Sequence, residues 1–111
     1  MIINQFTINA TVWLYPGKAG WHFVTIPKNE SEQIKGLFGD QKRGWGSLPV
    51  MVTLGNTTWK TSIFPDKQSD AYLLPLKAAV RIKQKIATGD IISLTLTVQP
   101  DGDNADAEAE E

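Results

Sequence analysis

Cysteine is absent from the 111 residues, and histidine occurs once. Without cysteine there is no disulfide, no thiolate nucleophile and no cysteine-ligated zinc or iron–sulfur cluster. One histidine excludes a multi-histidine metal site as well, so no metal or other cofactor is expected. No run of about 18 apolar residues occurs, so no helix of this sequence crosses a bilayer. The opening Met1–Phe6 has neither the basic region nor the long apolar stretch of a secretory leader. A cytoplasmic location without membrane contact is the expectation. What is present, 41% hydrophobic and 21% charged residues, is the composition of an ordinary globular protein. The length allows one domain.

The net charge of −1 conceals an asymmetry. Six of the twelve acids, Asp101, Asp103, Asp106, Glu108, Glu110 and Glu111, fall in the last eleven residues, whereas all eleven bases lie between Lys18 and Lys85. Residues 100–111 offer no large apolar side chain to bury, which predicts an acidic disordered tail after a single domain over 1–99. Such a tail either solubilises the domain or covers a basic surface until a polyanion displaces it.

The body reads as short strands. Phe6, Ile8, Ala10, Val12 and Leu14 alternate with Gln5, Thr7, Asn9 and Thr11, a half-buried strand over 5–15. Pro16-Gly17 ends it, and Trp21–Ile26 forms a second strand ended by Pro27. Asn29 followed by Glu32 has the form of a capping box opening a short helix with Ile34, Leu37 and Phe38 inward, stopped near Gly39. Residues 39–47 are a loop. Gly55-Asn56 then sits between two alternating runs, and a two-residue hairpin there places Leu48, Val50 and Val52 opposite Ile63, Thr61 and Trp59. Met51, Thr53, Thr58 and Lys60 fall on the other face, so apolar and polar residues sort without adjustment. Ala71–Leu76 reads as a strand and Lys77–Ala87 as a helix with Ala79, Ile82 and Ile86 inward. Asp90–Gln99 is a last strand with Ile92, Leu94, Leu96 and Val98 on one face.

The order is ββαβ followed by ββαβ, an internal repeat in which Gly39-Asp40 matches Gly89-Asp90. Two such units close into a small barrel that hides its sheet edges, with the helices plugging the ends. The predicted fold is mainly β, a pseudo-duplicated closed β-barrel with two short helices.

No catalytic constellation is visible. His22 has no evident partner to orient it. The serines lack a nucleophile-elbow context, and the glycines match neither dinucleotide nor P-loop spacing. Of the body's acids, Glu30 and Glu32 belong to a helix start, while Asp40, Asp66, Asp70 and Asp90 read as turn residues. Two basic features remain. Lys42, Arg43 and Trp45 set two cations and an indole on a loop, which either grips an anion or ring, or folds onto the core. Lys77, Arg81 and Lys85, with Lys83 beside them, form a helical stripe that either neutralises phosphates or is simply the wet face of a helix. Lys60 and Ser62 lie on the outer side of the hairpin, where polar groups suit a small pocket.

Trp21–Pro27, Arg43-Gly-Trp-Gly-Ser47, Trp59–Pro65, Tyr72–Arg81 and Gly89-Asp90, in that order, resemble the bacterial domain of unknown function family 1905. The likeness runs from about Phe6 to Val98. It implies a small β-barrel near the double-split barrels of transition-state regulators and carries no function. Leu74–Arg81 with Gly89-Asp90 is also similar to those regulators, whose basic surface meets DNA; Lys77 and Arg81 are the residues that would carry that role. Those proteins build one barrel from two chains, whereas this chain holds both halves, and fold alone does not transfer function.

The expectation is a non-enzymatic binding module, monomer or weak dimer, for a small ligand or protein partner, with its site around Lys42, Arg43, Trp45, Lys60 and Ser62. The alternative is a nucleic-acid binder using Lys77, Arg81, Lys83 and Lys85 with the 42–45 loop.

Overall fold

The computed structural model describes residues 4–17, 19–41 and 46–99. Six strands, β1 (Gln5–Leu14), β2 (His22–Thr25), β3 (Leu48–Leu54), β4 (Thr57–Asp66), β5 (Ala71–Pro75) and β6 (Ile91–Val98), and two helices, α1 (Lys28–Phe38) and α2 (Ala78–Gln84), follow the expected order. A 3-10 turn, Gly39–Gln41, extends α1. The strands close into an antiparallel barrel in the order β1-β2-β5-β4-β3-β6. Alternation explains the closure. Every strand turns one apolar face inward, and Phe6, Ile8, Val12, Val24, Val50, Val52, Ile63, Leu74, Leu96 and Val98 fill a single core. The hairpin register is the expected one, with Leu48 opposite Ile63, Val50 opposite Thr61 and Val52 opposite Trp59.

The duplication is visible in the pairing. Exchanging β1 with β4, β2 with β5 and β3 with β6 returns the same ring. Val24 lies opposite Leu74, fifty positions further on, at the centre of the β2–β5 ladder. The same offset carries into the helices. Pro27 and Lys77 are the two N-caps, both extended, and Ser31 and Arg81 donate their N–H groups to the carbonyls of Pro27 and Lys77. The Gly-Asp pairs are not equivalent, however. Gly39 is right-handed helical (φ −61°), whereas Gly89 has φ +95° in the turn before β6.

Ser31 and Arg81 solve one local problem in two ways. Ile26 N–H donates to the Tyr72 carbonyl, but the reciprocal bond is replaced by the buried Ser31 hydroxyl, which donates to the Ile26 carbonyl (2.9 Å) and accepts from Tyr72 N–H (3.1 Å). In the other half Leu76 N–H donates to the His22 carbonyl (2.9 Å), and Arg81 Nε–H donates to the Leu76 carbonyl (3.0 Å). Each side chain thus fastens its helix to the β2–β5 ladder, one at each end of the barrel.

Three local expectations are corrected. α1 begins at Lys28 with no side-chain cap, so Asn29 and Glu32 form no capping box; Pro27 sets the entry angle and Ser31 supplies the tie. α2 is seven residues rather than eleven and its phase differs. Val80 is buried, Ile82 is 77% exposed, and Lys85 has left the helix in a left-handed conformation (φ 56°). The cause is Gln84, whose amide donates to Asn56 Oδ1 and Thr57 Oγ1 and pins the last turn of α2 to the β3–β4 hairpin. Gly55 in that hairpin has φ +60°, with Gln84 close enough that a Cβ would meet its Oε1 at 2.7 Å. Leu14 is exposed because β1 has run past the barrel rim by then. The tail 100–111 lies outside the described residues.

Ser31→Ala strips a partner from two buried backbone groups, which costs about 1–3 kcal/mol. Thermal unfolding should show a Tm lower by about 5–15 °C for a chain of this size. An unchanged Tm would show the hydroxyl to be dispensable to the ladder.

Candidate functional site

The same alternation that fills the barrel decides what faces water. Odd-numbered residues of β1 and β2 point outward, and at the end of this hairpin they are aromatic. Trp13 lies opposite Phe23, and Tyr15 N–H donates to the Trp21 carbonyl, which continues the pairing beyond the strand ends. Phe23, only 7% exposed, is the hub, with ring centroids 5.4 Å from Trp13, 6.0 Å from Tyr15 and 6.1 Å from Trp21. Trp13 and Tyr15 touch at 6.2 Å. Trp13 Nε1–H donates to Thr25 Oγ1 (3.0 Å), which fixes the indole. Over this base Trp21 and Tyr15 remain 61% and 51% exposed. Tilted and edge-on aromatic pairs add about 0.5–1.5 kcal/mol each beyond their burial, so the exposed rings are held in place.

The wall beside them is apolar and almost uncharged. Pro75 lies opposite Phe23, Leu73 opposite Thr25, and Phe64 opposite Leu73, all on the outer side. Across the six strands the only acid is Asp66, at the far end of β4, and the only cation is Lys60. His22, between Trp21 and Phe23, is committed locally: its Nδ1–H donates to the Gly20 carbonyl (2.8 Å).

The residues singled out from sequence are distributed as follows. Lys60 and Ser62 stand half-buried on the outer side of β4, opposite Met51 and Pro49. Lys42, Arg43 and Trp45 lie outside the described residues. Lys77 caps α2, Arg81 is tied to the Leu76 carbonyl, Lys83 is exposed on the helix, and Lys85 follows it. These four do not form one helical stripe, because α2 ends before Lys85. They do cluster at one end of the barrel, the end at which β1 finishes and β2 begins. Trp13, Tyr15, Trp21 and Phe23 were outside the sequence-based set. Their signal was their parity, since they continue the outward face begun by Gln5, Thr7, Asn9 and Thr11.

The opposite end holds a cleft of about 410 Å³ between α1 and the β4–β5 turn, lined in part by Glu32, Lys35, Asp66, Lys67, Asp70 and Tyr72. Neither Lys60 nor Ser62 lines it. Much of its polarity is already engaged. Asp66 accepts from the Ser69 backbone and hydroxyl, and Asp70 pairs with Lys28 at 2.8 Å. The bond from the Lys28 ammonium lowers the Asp70 carboxyl and raises Lys28 in turn, while burial pushes the Tyr72 hydroxyl up. Among the described residues no three His, Asp or Glu side chains converge to hold a metal ion.

A family model described as a domain of unknown function (DUF1905) matches residues 9–96. No curated protein matches the chain.

Phe23→Ala removes the ring on which the other three rest. The expected result is a loss of about 3 kcal/mol in stability, read by denaturant unfolding, with a weakened near-UV circular dichroism signal from the tryptophans. Full retention of that signal would mean that Trp13 and Trp21 are ordered without Phe23.

Proposed function

The chain belongs to DUF1905, a family defined without a function, and from that premise we propose that it is a non-enzymatic binding module whose ligand stacks on Trp21 and Tyr15. One observation carries this reading: two large rings stand more than half exposed on a rigid aromatic base. Exposed aromatic area gains about 25 cal/mol for each Å² taken from water. A ring already held by its neighbours loses little rotamer freedom when a ligand covers it. The matching ligand presents a flat face, whether a planar ring or a sugar.

The cleft at the other end supports binding less well, because its aspartates are satisfied by Ser69 and Lys28. The reading as a non-enzyme rests on His22, whose ring is anchored to its own turn rather than to a carboxylate.

Two probes test the surface, AMP for planar rings and cellohexaose for sugar faces, each followed by ligand-observed NMR. At least one should bind saturably to the full chain, weaken ten-fold or more with Trp21→Ala, and be unaffected by Lys35→Ala/Lys67→Ala in the cleft. Binding that ignores Trp21→Ala, or is lost with the cleft variant instead, would overturn the proposal.

A further inference from the structure

The described charges of the barrel are sorted by end. Around α1 lie Glu30, Glu32, Asp40, Asp66 and Asp70 against Lys28, Lys35 and Lys67. At the α2 end stand Lys77, Arg81, Lys83 and Lys85, and the one acid among the described residues there, Asp90, accepts the Ala87 N–H through its carboxylate (2.9 Å). The aromatic face belongs to this cationic end. Phe23 pairs with Pro75, the His22 carbonyl accepts the Leu76 N–H, and Lys77 follows immediately, one register step across from Trp21. No acid lies on the strands between the rings and the helix.

We infer that the ligand of the aromatic face is single-stranded nucleic acid, its bases stacked on Trp21 and Tyr15 and its phosphates drawn to Lys77, Lys83 and Lys85. This rests on the aromatic face being the binding surface and adds the class of ligand. Stacking rings beside a cationic path is the combination by which single strands are held without sequence readout. A neutral ring-bearing ligand would use the rings and leave the charge sorting without a role. A duplex fits poorly, because its bases are already stacked and paired, and the α2 cations do not form a continuous stripe along a helix. Arg81 contributes charge, but its Nε–H is held by the Leu76 carbonyl.

The test is fluorescence anisotropy of fluorescein-labelled dT12 and rU12, with a dT12·dA12 duplex alongside, on the full chain at 50 and 200 mM salt. Two or three phosphate contacts on a single strand give a salt slope of about −1.4 to −2.1, so affinity should fall about ten-fold between these salts. Lys77→Ala, Lys83→Ala and Lys85→Ala should each flatten the slope by up to about 0.7. Trp21→Ala should weaken binding about 5- to 150-fold while leaving the slope unchanged. Duplex binding as tight as dT12, or binding of dT12 that is insensitive to salt and to the lysine variants, would overturn the inference. If AMP or cellohexaose still depends on Trp21 while dT12 and rU12 do not bind, the nucleic-acid class falls and the binding surface stands. If sedimentation shows a dimer that Trp21→Ala dissociates, the aromatic face is an interface between two copies and both readings fall.

Discussion

The antiparallel pairing of β2 with β5, centred on Val24 and Leu74, is the constraint on which the rest of this molecule depends. Without it the ring would open into one six-stranded sheet, β2-β1-β6-β3-β4-β5, with β2 and β5 as exposed edges. Each half supplies a strand of only four or five residues there, too short to hold a barrel shut by ladder bonds alone. The seam is reinforced at both ends by a helix that follows its strand directly and returns a side chain to the ladder. Ser31 does this for the first half and Arg81 for the second. A hydroxyl both donates and accepts, so Ser31 satisfies two backbone groups, whereas a guanidinium only donates and satisfies one.

The second half diverges further because of what its helix must cover. α1 inserts Ile34 and Phe38 into the core. The position fifty residues after Ile34 is Gln84, which turns from the core to the hairpin and bonds Asn56 and Thr57. One consequence is a shorter helix, and another is an exposed Ile82 beside Lys83. The two ends of a duplicated barrel are therefore chemically unlike. One carries an apolar plug and a mixture of acids and lysines, the other a polar latch and a group of cations.

The parts of this fold that could be read from sequence are those in which one physical signal acts alone. The hairpin register was legible because only one pairing sorts Val50, Val52 and Ile63 from Met51, Thr53 and Lys60. The order of elements along the chain and the closure followed from alternation and from the need to hide edges, whereas the order of strands around the ring did not. α2 was misread because Ala79, Ile82 and Ile86 also satisfy a helical period. Only the tertiary contact of Gln84 with the hairpin ends the helix before Lys85. The N-terminus of α1 was misread because Asn29 and Glu32 have the form of a capping box, while the bond that matters, Ser31 to Tyr72, spans 41 residues. For the site, the cations of α2 were legible as charge but not as a place. The aromatic face was missed because tryptophan and phenylalanine in strands read as core. Counting parity through Trp13 and Tyr15 would have set them outside.

That parity also bears on why the exposed rings lie where they do. A closed barrel of this size has room inside for side chains but not for a ligand, so any binding must use the outer wall, an end or a loop. The wall is short of charge: apart from His22, Lys60 and Asp66 are the only basic or acidic side chains on strands that total more than forty residues. Such a surface offers little to a charged partner and would be sticky if apolar throughout, yet about half of its outward positions are threonine, serine, asparagine or glutamine. The two most exposed aromatic rings among the described residues, Trp21 and Tyr15, stand together at the end of the β1–β2 hairpin, next to the strand end from which α2 and its cations follow. Packing on Phe23 accounts for the buried side of Trp21 and Tyr15 but gives no reason for the more than half of each ring left in water. Their exposure beside positive charge, on a wall with few charges of its own, is what the proposed stacking surface for an anionic chain requires.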